Sequence, residues 1–222
     1  HTEIADVIML NTTPLSIIVA VSSLIDIKAI IHTWKSARSD AIAMLLTIVG
    51  VLAFNVEIGV LAGLFSSLAL FLWRTSRPHI AIVGLIEGTH HFRNIHRFNV
   101  LQSETVLSLR FDESLYFANA RYLEDKIPEY LEQYPQTQHL VLMLSGVNMV
   151  DASALESLAL IHDRLKETNI QMHLSEVKGP VMDKLKKSHL LHELTGSVYL
   201  SQHDAIKKIC GNAFDTEMEF HL

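Results

Sequence analysis

The chain has 222 residues, of which 49% are hydrophobic, and a formal net charge of −6. It contains no run of Lys and Arg with interleaved aromatic residues, so we do not expect nucleic acid as a partner. Cys210 is the only cysteine, which excludes an intrachain disulfide and favours a reducing compartment. Most of the charge follows Trp73, whereas the apolar excess precedes it. This asymmetry predicts one module in lipid and one in water.

The N-terminal residues predict the end of a span and then an amphipathic helix. The chain starts with His1 rather than Met, and we expect it to be a piece of a longer protein. Leu15–Ile25 is uncharged but too short to cross a bilayer on its own. Asp26–Asp40 has apolar residues at helical spacing among basic ones. This pattern is typical of a helix in the membrane interface and is equally compatible with a connecting helix.

The most apolar stretch, Ala41–Trp73, contains one ionisable side chain, Glu57. As a single helix it would be roughly 50 Å long, whereas a bilayer core is about 30 Å thick. A straight span would also place Glu57 at its centre, where a charge is costly. We therefore predict a helical hairpin with legs Ala41–Val56 and Ile58–Trp73 that turns at Asn55–Glu57. The alternative is a pair of buried helices in a soluble protein.

Basic residues predict the orientation of this hairpin. They flank both of its ends, which places the two ends on the cytoplasmic side by the positive-inside rule and the turn on the other side. These residues are Lys28, Lys35, Arg38, Arg74 and Arg77. Membrane lipid is therefore an expected partner.

Small residues recur every four positions in the second leg, at Gly59, Gly63 and Ser67. Such spacing lets another helix approach closely, and van der Waals contacts then stabilise the pair. We expect this face to pack against other spans of the same protein, with dimerisation as the alternative.

A polar connection follows the hairpin. Pro78 disfavours continued helix, and His79–Ile86 alternates like a strand. Glu87–Asn99 reads as a polar loop that contains three histidines, His90, His91 and His96. Three histidines suggest zinc, but their spacing matches no standard ligand set and no Cys lies near. We therefore predict a solvated loop and no metal.

From Thr105 onward, strand and helix patterns alternate, which predicts an α/β module. The predicted strands are Thr105–Phe111, Leu115–Ala118, His139–Leu144, Ile170–Leu174 and Ser197–Leu200. The predicted helices are 119–133 with Asn119 as cap and Pro128 inside, Asp151–Lys166, Pro180–Lys187, and a last helix from the cap Ser201 to about Cys210. Gly211–Leu222 is predicted to be a frayed tail.

The loop before the helix at Asp151 is the candidate site. Asp151 is placed to accept a backbone N–H as N-cap. Ser153 falls in the first turn, near the positive helix end where a phosphate would be stabilised. The alternative is a serine with a purely local role at a helix start. The sequence has no Gly-x-Ser-x-Gly elbow and no Walker-type phosphate loop, so we expect neither an enzyme nor a cofactor.

Four segments resemble the C-terminal part of SulP anion permeases, the sulfate permease-like transporters. They are WRTSRPHIAIVGLIEGTHHFRNIHRF, LRFDESLYFANARYLEDKI, NMVDASALESLALI and VYLSQHDAIKKI. The specific motifs are Phe117-Ala118-Asn119-Ala120 and Asp151-Ala152-Ser153, in that order after a hairpin. The soluble module resembles their STAS domain, a fold shared with bacterial anti-sigma-factor antagonists.

The resemblance implies an all-α membrane segment followed by a soluble α/β STAS domain. Residues 1–77 would be the last transmembrane helices, 78–211 a cytoplasmic STAS domain and 212–222 a tail. The protein would be a multi-pass inner-membrane transporter and a homodimer, with upstream spans as partners. In such folds the substrate binds between broken helices near the midplane, which this family builds upstream of His1. We therefore assign no substrate-binding residue to this chain.

The resemblance also gives Asp151 and Ser153 a regulatory role. In similar antagonists, the serine at the position of Ser153 is phosphorylated by a partner kinase, and the added charge switches binding. Those antagonists usually have Gly next, where this chain has Ala154. Our main hypothesis is the C-terminal portion of a sulfate- or bicarbonate-class anion transporter whose STAS domain binds regulatory proteins. The alternative is a stand-alone, membrane-tethered STAS binding protein or phosphoswitch.

Overall fold

The computed structural model describes residues 27–211 and 219–220, and it divides the chain into two units with the boundary between Leu72 and Trp73. We call them the helical unit and the α/β unit. The predicted module limits, 1–77, 78–211 and 212–222, stay predictions. Leu15–Ile25 lies outside the described residues.

Three helices begin the described chain, α1 (Ile27–Ser36), α2 (Arg38–Ala53) and α3 (Val56–Thr75), which runs across the boundary. The helix expected over Asp26–Asp40 is interrupted at Ala37, whose backbone is extended at φ −150° and ψ 96°. Most of the basic amphipathic stretch is therefore a separate short helix, α1, whereas its last residues, 38–40, begin α2.

The turn between α2 and α3 is shorter than predicted and comes earlier. Phe54 follows α2, and Asn55 Oδ1 accepts the backbone N–H of Ile58 at 2.8 Å, which satisfies a donor in the first turn of α3. Glu57 consequently lies inside α3 and not in the turn. A carboxylate is favoured there by the positive end of the helix dipole.

Glycines line the contact between α2 and α3. A Cβ added to Gly50 would lie 2.8 Å from the Cα of Gly59. A Cβ on Gly59 would overlap the backbone of Val51, and one on Gly63 would overlap Thr47 Oγ1. The two backbones therefore approach as closely as the absence of side chains allows.

Large apolar side chains cover the outside of the same two helices. Leu52 is 67% exposed and Phe65 is 64% exposed, and most other large apolar residues of α2 and α3 are exposed as well. Among the described helices, α3 alone satisfies length and apolarity criteria for crossing a membrane. An exposed apolar surface of this extent on a folded chain marks a lipid-facing or partner-facing region.

Eight strands of the described chain form one mixed sheet in the order β7-β6-β5-β4-β1-β3-β8, with β2 also pairing with β1. Strands β4 to β7 are parallel, and β1 is antiparallel to β4. The strands are β1 (Ile80–Leu85), β2 (Phe92–Asn94), β3 (Leu101–Gln102), β4 (Val106–Phe111), β5 (His139–Met143), β6 (Gln171–Ser175), β7 (Val198–Tyr199) and β8 (Glu219–Phe220).

Helices cover both faces of this sheet unequally. Leu109, Leu142 and Leu174 belong to a large core together with buried residues of α4 to α7. On the other face, Val141 and Met143 pack with buried residues of α8 in a smaller core. The helices are α4 (Ala120–Gln133), α5 (Ala152–Glu167), α6 (Gly179–Lys187), α7 (Leu190–Glu193) and α8 (Gln202–Cys210).

A buried polar cluster attaches α8 to the sheet. Gln202 donates from Nε2 to Ser108 Oγ at 2.9 Å and accepts a hydrogen bond from the hydroxyl of Ser175. All three residues are buried. Because each partner would lose a hydrogen bond if the helix shifted, this cluster fixes the position of α8 on strands β4 and β6.

The strand predicted at Leu115–Ala118 is wrong. Leu115 forms only an isolated bridge with Val150, and a turn follows it. Asn119 closes that turn, because its Oδ1 accepts the N–H of Tyr116 at 3.0 Å and its Nδ2 donates to Ser114 O at 2.8 Å. Asn119 therefore occupies the N-cap position of α4 without capping the helix through its side chain.

Other predicted boundaries also change. The loop predicted over Glu87–Asn99 contains β2, which pairs with β1. Within the predicted tail, Glu219–Phe220 pairs with Leu101–Gln102 in an antiparallel bridge, so the tail is not frayed throughout. Helix α4 continues through Pro128, as expected, and Ser201 caps α8 by accepting the N–H of Asp204 at 3.0 Å.

The glycine contact makes a prediction about the hairpin. Gly59→Ala places a methyl group against the backbone of Val51, so we expect it to destabilise the helical unit by about 1–3 kcal/mol, the usual cost of overpacking. Ser67→Ala is the matched control because Ser67 is exposed on the same helix. Thermal unfolding of the detergent-solubilised protein measures both, and an equal midpoint for the two variants would contradict a tight contact at Gly59.

Candidate functional site

The predicted N-cap of α5 is present. The Oδ1 atom of Asp151 accepts the backbone N–H of Ala154 at 2.9 Å, and Asp151 has the extended backbone usual for an N-cap. Substitution of such a cap by Ala ordinarily costs about 1 kcal/mol. Asp151 therefore sets the point at which the loop after β5 becomes a helix.

The second carboxylate oxygen of Asp151 binds a different part of the chain. Its Oδ2 accepts the backbone N–H of Phe117 at 2.9 Å. The same two segments are joined by Leu115 N to Met149 O at 3.0 Å and by Asp151 N to Leu115 O at 3.2 Å. The loop before α5 and the turn before α4 therefore form one hydrogen-bonded unit at the carboxyl ends of β4 and β5.

Ser153 lies in the first turn of α5 and is exposed, whereas the next residue, Ala154, is fully buried. Among the described residues, its hydroxyl has no protein hydrogen-bond partner. A phosphate added at this position would lie near the positive end of the helix dipole. The burial of Ala154 gives a reason for a small residue after the serine.

Two apolar side chains are exposed in the segments that Asp151 joins. Phe117 is 69% exposed and Met149 is 55% exposed. Together with Ser153 they define what we call the Ser153 face. Beside it, Lys178 Nζ donates to Asn148 Oδ1 at 2.7 Å and connects the loop after β6 to the loop after β5. Exposed aromatic and Met side chains beside a modifiable hydroxyl suit a protein-binding surface.

The three other singled-out positions, Gly59, Gly63 and Ser67, lie in the helical unit. Gly59 and Gly63 are buried in the contact with α2, whereas Ser67 is exposed. The structure thus brings two of the three small residues to one helix interface, and that interface lies within the hairpin.

The loop histidines do not converge. The ring of His90 contacts the ring of His203 edge-on, with centroids 4.2 Å apart, while His91 and His96 are exposed. Across the described residues, no three His, Cys, Asp or Glu side chains form a group that could hold a metal ion.

The sequence reading missed a different histidine pair. His139 pairs with Gln171 and His173 pairs with Val141, so the two histidines are diagonal neighbours on β5 and β6, and His139 Nδ1 lies 3.2 Å from His173 Nε2. His173 Nδ1 accepts the backbone N–H of Ser197 at 3.0 Å. Burial first, and the neighbouring His139 second, lower the pKa of His173 to about 4. The available signal was one histidine within each of two predicted apolar strands, His139–Leu144 and Ile170–Leu174.

This pair predicts a pH dependence of folding. The pKa of His173 is near 6.5 when unfolded and about 4 when folded, so its contribution is complete above pH 6.5 and is lost as pH falls towards 4. Between pH 7.5 and pH 5 we expect the free energy of unfolding to fall by about 2 kcal/mol from this group. His173→Asn, whose Oδ1 can replace Nδ1 as acceptor, should remove that slope.

Denaturant unfolding at the two pH values measures the effect. His96→Asn is the control, since His96 is exposed. A pH slope that is the same in the wild type and in His173→Asn would exclude His173 as its source.

The sequence and the fold of this chain are similar to those of known proteins. The family profile of the STAS domain matches residues 97–205. High affinity sulfate transporter 2 of Stylosanthes hamata is 31% identical over 202 residues, which cover 86% of this chain and 30% of that protein. Sulfate transporter 1.2 of Arabidopsis thaliana is 32% identical over 205 residues, covering 87% of this chain and 31% of its own length. The chain therefore spans about 30% of the length of these curated relatives.

A solved structure has the same fold. The murine Solute Carrier 26 family member A9 anion transporter, in its inward-facing state, superposes with a TM-score of 0.72 at 19% identity. The match covers 82% of this chain and 30% of the transporter chain. At this identity the similarity concerns the fold.

Proposed function

We propose that this chain, which belongs to the SulP family of STAS-domain proteins, forms the C-terminal portion of a secondary anion transporter of the sulfate and bicarbonate class. The observation that carries the proposal is an apolar outer surface on α2 and α3 in the same chain as a STAS domain. The names of the relatives, which are sulfate transporters, support the substrate class. The transport role requires no bond-making step, so we assign no catalytic residue.

The helical unit would be the last membrane hairpin of that transporter. Helix α3 is 20 residues long, or about 30 Å, and matches a bilayer core, whereas α2 has 16 residues and reaches about 24 Å. A short leg is suited to a position shielded by other spans. Lipid and the upstream spans would cover the exposed side chains of both helices, such as Leu52 and Phe65.

The end of α3 supports a cytoplasmic α/β unit in a multi-pass inner-membrane protein. The guanidinium of Arg77 lies over the Trp73 ring, 4.4 Å from its centroid. A Trp with an adjacent Arg is the pairing expected at a membrane–water interface, and Arg excess marks the cytoplasmic side. The other basic flank, Lys35 and Arg38, precedes α2 or begins it. A homodimer is part of this proposal, by likeness to the family.

The α/β unit would serve as the regulatory and interaction module. The Ser153 face offers Phe117 and Met149 as apolar contacts for a partner protein. Phosphorylation of Ser153 would add nearly two negative charges to this face, and such charge disrupts an apolar contact. This exposed serine is also the observation that favours the second candidate, a stand-alone membrane-tethered STAS phosphoswitch.

Transport separates the two candidates. We expect proteoliposomes that contain the full-length gene product to accumulate labelled sulfate or bicarbonate above protein-free liposomes, and the 222-residue chain alone to give no uptake, because the substrate site would lie upstream. A full-length product with no further apolar spans and no uptake would leave the stand-alone phosphoswitch as the function.

Phosphorylation of Ser153 is tested by incubation of the protein with cell kinases and mass spectrometry. We expect phosphate on the peptide that contains Ser153, and we expect Ser153→Glu to lower binding of a regulatory partner or to change uptake while Ser153→Ala does not. Absence of phosphate at Ser153 with every kinase fraction, together with identical behaviour of the two variants, would leave Ser153 with a local structural role.

A further inference from the structure

A polar pocket of about 430 Å³ lies on the α/β unit, at the carboxyl ends of β4, β5 and β6. It is separate from the Ser153 face. Its lining includes Arg110 and Asp112 from β4 and the residues after it, Ser145 and Gly146 from the loop after β5, and Glu176 after β6. Carboxyl ends of neighbouring parallel strands are where α/β folds bind ligands.

The acidic groups of the pocket already have donors. Asp112 accepts from Arg110 Nε at 2.5 Å and Nη2 at 3.2 Å, and its Oδ2 lies 2.8 Å from His79 Nδ1. Partial burial opposes ionisation of this carboxyl, but the hydrogen bonds from Arg110 and His79 prevail and lower the pKa of Asp112. Glu176 Oε1 accepts the backbone N–H of Gln202 at 3.3 Å, at the positive end of α8.

Apart from Arg110, which donates to Asp112, two side-chain donors of the pocket are unpaired among the described residues. Within residues 27–211 and 219–220, neither the Arg93 guanidinium nor the Ser145 hydroxyl has a hydrogen-bond or ion-pair partner. The backbone N–H groups of Ser145 and Gly146 are likewise without a protein acceptor in this part of the chain. Asp112 and one oxygen of Glu176 are hydrogen-bonded already, whereas these donors have no acceptor in the described chain, so they are available to a ligand that only accepts.

The segment that carries Arg93 is held in place. Arg93 belongs to β2 and is in register with Gly84 of β1. Gly84 has no space for a side chain, because a Cβ there would lie 2.7 Å from Leu101 O. Ahead of β2, the ring of His90 rests against the ring of His203 on α8. A donor on a paired strand loses less freedom when it binds a ligand than one on a free loop.

We propose that this pocket binds a small oxyanion of the sulfate or phosphate type, with Arg93 as the charged ligand and Ser145 and Gly146 as hydrogen-bond donors. Arg110 also lines the pocket, but Asp112 neutralises its charge. Sulfate and phosphate present several acceptor oxygens and, in the case of sulfate, no donor, which matches the uncompensated donors around the cavity. The site lies within the α/β unit and does not depend on the proposed transport function.

The test is isothermal titration of the 222-residue chain, purified in detergent, with sodium sulfate, sodium phosphate and sodium chloride at equal ionic strength. We expect saturable binding of one sulfate or phosphate and none of chloride. Arg93→Gln should weaken binding about tenfold, the usual effect of losing a hydrogen bond to a charged group. Ser145→Ala should weaken it several-fold.

Arg97→Gln is the matched control, because Arg97 is exposed close to Arg93, lies outside the pocket lining and gives the same change of charge. We expect it to bind sulfate like the wild type. Equal weakening by Arg93→Gln and Arg97→Gln would show an unspecific effect of charge and overturn the site, as would an equal response to chloride. If Arg93→Gln shifts the unfolding midpoint of the ligand-free protein, the affinity of Ser145→Ala for sulfate becomes the deciding measurement. An affinity equal to that of the wild type would then overturn the proposal.

Discussion

The two oxygens of one carboxylate hold together the end of the α/β unit that carries Ser153. Asp151 binds Ala154 within its own helix and Phe117 in a turn 34 positions earlier. Without the first bond α5 would lose its cap, and without the second the turn before α4 would be held mainly by the Leu115–Val150 bridge. Because both bonds fix backbone, they set the position of Ser153 and the exposed Phe117 relative to each other.

Local chemistry explains why parts of this fold were predictable. The caps Asp151 and Ser201 precede amphipathic helices, and a side-chain oxygen at that point has one dominant use. Strand β5 is a continuous apolar run, as expected of a parallel strand covered on both faces. The strand prediction at Leu115–Ala118 is wrong for an equally local reason, because the side-chain amide of Asn119 forms hydrogen bonds with Ser114 and Tyr116. Alternation of apolar residues gives no information about such a closure.

The polar pocket could not be predicted by the same means. Arg93, Arg110, Ser145 and Glu176 are distant in sequence. Only the pairing of β2 with β1, β1 with β4, β4 with β5 and β5 with β6 brings them to one edge. The loop histidines are a second example of contacts that the sequence does not predict. Their spacing argued against a metal site, but nothing in it predicted that His90 contacts His203 on α8. Whether each polar group has a hydrogen-bond partner can be judged only when these long-range contacts are known.

The two units bury opposite kinds of residue. In the α/β unit the large side chains, such as Phe111 and Leu142, are inside. In the hairpin the buried positions are Gly and Ala, and Leu52 and Phe65 face outward. Water drives large apolar side chains inward, but lipid tails are as apolar as Leu and give no such drive. Helices in lipid then associate where small residues let their backbones approach, as at the glycine contact between α2 and α3. The alternative of two buried helices in a soluble protein requires a partner that covers nearly the whole outer surface of both, whereas a bilayer with neighbouring spans supplies that cover by its nature.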